Sequence, residues 1–143
     1  MRANLGTMTL EPLTFSPDNT RILDSQTDAV MMSWETPLMI QHAAYLAPIS
    51  GLHILNVGFG LGIIDKELQK SNPASHVIIE AHPDVHKKML EDGWDKKENV
   101  TILFGRWQDV IQSLDRTYDA ICKHFGTPSH VAPSPILKHQ IKT

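Results

Sequence analysis

A chain of 143 residues, 41% of them hydrophobic and 20% charged, is expected to build one domain around a single modest core. Its net charge of -3 gives no reason to expect binding to nucleic acid or to an anionic membrane. The lone cysteine, Cys122, cannot close an internal disulfide, no apolar run approaches the ~20 residues of a spanning helix, and no signal-peptide stretch is evident, so a cytosolic or nuclear protein is expected.

In chain order, residues 1–29 hold one short apolar run, Leu10 to Phe15, and a turn-like Ser16-Pro17-Asp18-Asn19, and are read as a lead-in arm. Thr36 suits an N-cap and Pro37 the first helical position, where a missing N–H costs nothing. Met39, Ala43 and Leu46 then fall at i, i+4 and i+7, which predicts a helix closed by Pro48. Next come a β-prone run, His53 to Val57, a glycine cluster, and a helix over Ile63 to Gln69. Val77 to Ile79 predicts a second strand, and Pro83 to Glu91 a second short helix that Gly93 can end. A third strand (Val100 to Phe104), a helix (Trp107 to Leu114) and a fourth strand (Tyr118 to Cys122) complete the pattern.

Strands separated by short helices imply right-handed crossovers and a parallel sheet. The expected fold class is therefore α/β and Rossmann-like, with about four parallel strands, in a unit spanning 30–121. After Asp119 no acidic residue follows; Lys123, Lys138, Lys142, three histidines and three prolines make 122–143 read as an irregular tail.

Gly58-Phe59-Gly60-Leu61-Gly62 lies where a strand hands over to a helix, and glycines there permit a tight turn and close ligand approach. A packing turn is the plain alternative. Glu80 shifts the balance, since it ends the next strand close to the ~20-residue offset at which an acid takes ribose hydroxyls. Ile63 occupies the position that the dinucleotide fingerprint gives to Gly or Ala. The spacing thus departs from NAD binding and suits S-adenosyl-L-methionine, which carries no pyrophosphate. Trp107 opens a helix after the third strand, where it can stack on a base or fill core space. Gln108 beside it can bond a base edge or face water. His82 and His86 stand at i, i+4, without a third metal ligand in view.

Val30-Met31-Met32-Ser33-Trp34-Glu35-Thr36-Pro37-Leu38-Met39 and Leu55-Asn56-Val57-Gly58-Phe59-Gly60-Leu61-Gly62-Ile63-Ile64 resemble the guanidino-group methyltransferases. Ile79-Glu80-Ala81-His82-Pro83-Asp84-Val85 and Gly105-Arg106-Trp107-Gln108-Asp109 continue the likeness, which spans roughly Leu13 to Ile121. That family contains guanidinoacetate N-methyltransferase and the fungal-type protein arginine N-methyltransferase 2, and the doubled methionine, Glu-Ala-His-Pro-Asp and Gly-Arg-Trp-Gln are closer to the arginine branch. The resemblance implies a class I methyltransferase fold and S-adenosylmethionine as cofactor. It implies an arginine-containing protein, ribosomal for example, or a small guanidino compound as substrate.

Carried over by position, the resemblance implies that Met31 and Met39 line the cofactor and that Phe59, Gly60, Leu61, Gly62, Ile63 and Ile64 form the loop beneath its methionine part. Glu80 would take the ribose hydroxyls, Ala81 and His82 would flank the adenine, and Trp107 and Gln108 would complete that pocket. Glu35 matches the catalytic carboxylate that grips the guanidinium. Read without the family, Glu35 is a solvated residue near a helix start, and the methionines are core filler.

After Ile121 the match stops: His124 stands about where the family carries an aspartate facing the transferring methyl. A guanidinium has a pKa above ~12 and needs paired carboxylates to orient it and make one nitrogen nucleophilic. The expectation is a truncated enzyme, or a binding module, with little or no turnover. Its fourth strand would be an exposed sheet edge prone to self-association.

Overall fold

The computed structural model describes residues 12–32, 36–114 and 116–123. Glu35 and the segment 124–143 lie outside the described residues, as do the side chains of residues 30–32.

The arm is not a plain lead-in. Strands β1 (Thr14–Phe15), β2 (Arg21–Leu23) and β3 (Ala29–Met32) form a three-stranded antiparallel sheet. Polar side chains close its turns. Ser16 Oγ accepts the amides of Thr20 and Arg21 at 3.2 and 3.0 Å and donates to Asp18 Oδ1 at 2.6 Å. Asp24 Oδ1 accepts from the amides of Gln26 and Asp28, both at 2.9 Å. The sheet is docked through Ile22, 2% exposed, with Leu13 and Phe15 beside it, and through the Leu13 amide, which donates to Asp84 Oδ2 at 2.9 Å.

Helix α1 (Thr36–Leu46) leads to the second sheet, in which β4 (His53–Val57), β5 (Ser75–Glu80), β6 (Val100–Phe104) and β7 (Ala120–Lys123) are all parallel. The strand order is β6-β5-β4-β7. Helices α2 (Ile63–Gln69) and α3 (Pro83–Glu91) have the expected bounds. Gly62 precedes α2 at φ +76°, and Gly93 follows α3 at φ +80°, so glycine punctuates both.

Three further elements differ from expectation, the first being β5, which also takes in Ser75, His76 and Glu80. The last helix is shorter: α4 (Trp107–Val110) tightens into a 3-10 turn over Ile111–Ser113. There Ser113 Oγ donates to the Val110 carbonyl at 2.6 Å and competes with the helical ladder. Strand β7 runs to Lys123, so Cys122 and Lys123 belong to the sheet rather than to the tail, and Cys122 is only 2% exposed.

A parallel sheet buries both faces. On one face, Ile54, Ala120 and Cys122 pack with Met39, Ala43 and Leu46 of α1 and Ile64 and Leu68 of α2. On the other, Leu55, Val77 and Ile79 meet Leu114 and Tyr118. A third cluster of Ile22, Phe59, Ile78, Val85, Met89, Trp94 and Val100 joins the arm, the glycine loop and α3.

Candidate functional site at the glycine loop

The chain lays down β4, β5 and β6 in one direction and then returns to the far side of β4 for β7. That reversal is a topological switch point, and ligands of open α/β sheets bind beside such a point at the carboxyl ends of the strands. The loop from Gly58 to Gly62 lies at the carboxyl end of β4. Gly58, Gly60 and Gly62 all have positive φ, 94°, 59° and 76°. Gly62 has a further reason: a Cβ there would come within 2.3 Å of Phe59 Cζ. Phe59 turns its ring into the core and meets Trp94 edge-on at 5.0 Å between centroids. The third glycine is therefore needed for loop packing whatever the ligand.

Glu80, 8% exposed, ties this loop down. Its Oε1 accepts the Phe59 amide at 2.7 Å and the Gly60 amide at 3.4 Å, and its Oε2 accepts the His82 amide at 2.9 Å. A carboxylate offers about four acceptor positions. With one of these contacts long, capacity remains for hydroxyls of a ligand.

Around this centre the other expected residues fall as follows. Ala81 and His82 are half-buried just beyond Glu80; His82 caps α3, its Nδ1 accepting the Asp84 amide at 3.1 Å. Leu61 and Ile63 are half-buried, packed against the Phe59 cluster and the α1–α2 cluster respectively. Met39 and Ile64 are buried in the α1–α2 cluster. Met31 pairs with Ile22 across the arm sheet. Gln108 is exposed. Trp107 is half-buried against the cluster of Leu55, Val77 and Ile79, and Lys123 Nζ sits 3.7 Å from its ring centroid. One ring face is thus occupied by a cation, and the indole Nε1 is buried without a hydrogen-bond partner among the described residues.

Three polar side chains beneath the loop are not marked as functional by the sequence alone. Asn56, Asp65 and His76 are each 0% exposed. Asn56 Nδ2 donates to Asp65 Oδ1 and Oδ2 at 2.8 and 2.9 Å and to the Gly58 carbonyl at 3.1 Å. His76 Nε2 meets Asp65 Oδ1 at 2.8 Å, and Gln69 Nε2 meets His76 Nδ1 at 2.9 Å. The available signal was polar residues on the apolar faces of β4, α2 and β5.

A model of the guanidinoacetate N-methyltransferase family matches residues 14–129. The chain is 46% identical over 112 residues to protein arginine N-methyltransferase 2 of Aspergillus fumigatus, covering 76% of this chain and 26% of the relative. It is 51% identical over 102 residues to protein arginine N-methyltransferase 2 of Aspergillus oryzae, covering 71% and 24%. The chain thus spans about a quarter of the length of the curated relatives it matches. Among solved structures, spermidine synthase of Thermotoga maritima superposes with a TM-score of 0.57 at 12% identity, covering 82% of this chain and 43% of that one, a likeness of fold alone. With the family match extending over most of its length, this chain belongs to the guanidinoacetate N-methyltransferase family.

Proposed function

We propose that the glycine loop and Glu80 form the S-adenosylmethionine site of a methyltransferase acting on guanidino groups. The observation that carries this reading is the Glu80 carboxylate, which is bonded to the loop amides of Phe59 and Gly60 at the carboxyl end of the sheet and keeps acceptor capacity. When bound, the cofactor supplies an electrophilic methyl group on a sulfonium. Glu80 would hold the ribose hydroxyls, and residues 58–64 would cradle the methionine part without needing to neutralise a phosphate. Ala81, His82, Trp107 and Gln108 would bound the adenine, with Lys123 moving off the Trp107 face wherever the base stacks there. Met31 and Met39 would contribute from the arm and α1.

The relatives' names support an arginine-containing protein as substrate, and the family model supports guanidinoacetate as the small-molecule alternative; a ribosomal protein is our choice of test substrate within the first class. Glu35 would grip the guanidinium. Orienting and deprotonating that group takes paired carboxylates, so we expect the 143-residue chain alone to bind cofactor and transfer little methyl.

Calorimetry with S-adenosylmethionine tests the site; folded protein that gives no binding heat defeats the reading. A radiolabelled methyl assay on a ribosomal extract and on guanidinoacetate tests the reaction. Labelling of either would contradict the expected inactivity and would choose the substrate.

A further inference from the structure

We propose that Asp65 and His76 are positioning residues for the glycine loop, acting through Asn56. This rests on the reading of that loop as the cofactor site. The three side chains come from β4, α2 and β5, the elements that frame the loop, and each is 0% exposed. Apolar side chains of the same size would pack there at lower desolvation cost, so stability alone is a poor reason for them.

The hydrogen-bond inventory explains what they do. A carboxylate only accepts. Asp65 therefore draws the NH2 end of the Asn56 amide toward itself, with contacts to both oxygens at 2.8 and 2.9 Å. That orientation leaves Nδ2 able to donate to the Gly58 carbonyl at 3.1 Å, while Asn56 Oδ1 has no partner among the described residues. The amide is thus held by its donors alone. If it flipped, its oxygen would face both the carboxylate and the Gly58 carbonyl. His76 fixes the carboxylate in turn: its Nε2 donates to Oδ1 at 2.8 Å, and its Nδ1 accepts from Gln69 at 2.9 Å.

The chain of contacts leaves the buried cluster at one point on the loop, the Gly58 carbonyl. The Gly58 amide is held from the other side by the Ile79 carbonyl at 2.7 Å. The peptide groups on either side of Gly58 are therefore clamped, and the amides of Phe59 and Gly60 are set toward Glu80. Among the described residues, Cys122 is a further titratable neighbour, paired in register with Asn56 on β7. Burial and the negative charge of Asp65 push its thiol up to about 12, so it adds no competing charge at neutral pH.

Asp65→Asn turns one of the two accepting oxygens into an NH2 donor and leaves a single acceptor for both Asn56 and His76, and His76→Gln removes the ring that fixes the carboxylate. Leu46→Ala, in the α1 core, serves as a control of comparable destabilisation. In folded protein, Asp65→Asn is expected to weaken S-adenosylmethionine binding by roughly tenfold or more, His76→Gln by a smaller factor, and Leu46→Ala by less than about twofold. Both network variants should also displace the amide resonances of Gly58, Phe59 and Gly60 in heteronuclear NMR, and Leu46→Ala should not. Wild-type affinity in a folded network variant, or loop resonances unmoved in both, would overturn the proposal. If Asp65→Asn does not fold, His76→Gln decides it. If wild-type protein binds no S-adenosylmethionine, the cofactor reading fails, and the loop resonances still decide the positioning role.

Discussion

Glu80 gathers the amides of Phe59, Gly60 and His82 on one carboxylate. Replacing it by Gln puts an NH2 group where at least one of those amides needs an acceptor. Glu80→Gln is expected to cost about 1–3 kcal/mol of stability, read by chemical denaturation, and to weaken cofactor binding in calorimetry. A second carboxylate, Asp18, is exposed in the first arm turn. Hydrogen bonds from Ser16 and then Thr20 lower its pKa from the ordinary 3.8 to about 2. Because the folded value is the lower one, its stabilising contribution is complete above 3.8 and is lost as pH falls through about 2. Carboxyl-carbon NMR should titrate Asp18 near 2 in wild-type protein and closer to 3.8 in Ser16→Ala. Unchanged titration would show that Ser16 Oγ is not the donor that matters. At this scale the position of Glu80 was legible, as an acid that ends an apolar strand, while its hold on the loop amides was not. Asp65 and His76 were not, because their partners lie 9 and 11 residues away and only the fold brings them together.

The loop between β4 and α2 turns on Gly62, where positive φ and the Phe59 ring both exclude a side chain. Gly62→Ala is expected to cost at least about 2 kcal/mol, combining left-handed strain with overpacking. Adding Phe59→Leu should recover part of that loss in a double-mutant cycle, since it relieves the contact but not the strain. Strict additivity would mean the ring is not what crowds the site. Helices α2 and α3 were read with their observed bounds because Gly62, Pro83 and Gly93 mark their ends locally. The arm sheet was not foreseen: strands of two to four residues are too short for alternation to register, and Ile22 owes its burial to tertiary contact with the Phe59 cluster. Ile22→Ala should test that docking, with a loss of about 2–5 kcal/mol and a shift in Trp94 fluorescence.

For the molecule as a whole, the α/β class and the four parallel strands followed from the alternation of apolar runs and glycine or proline punctuation. The environment of Trp107 did not, because the cation over its ring comes from β7. Strand β7 pairs with β4, and no strand among the described residues pairs with its other side. We propose that this edge supports self-association of the 143-residue chain, to be seen as concentration-dependent sedimentation. A monomer at all concentrations would contradict that.

The cofactor site at the glycine loop is tested by titrating S-adenosylmethionine into isotope-labelled protein and following its amide resonances. The largest shifts are expected on Gly58 through Gly62 and on Glu80, Ala81 and His82. Saturable binding that leaves these amides unmoved, or no binding by folded protein, would contradict that placement.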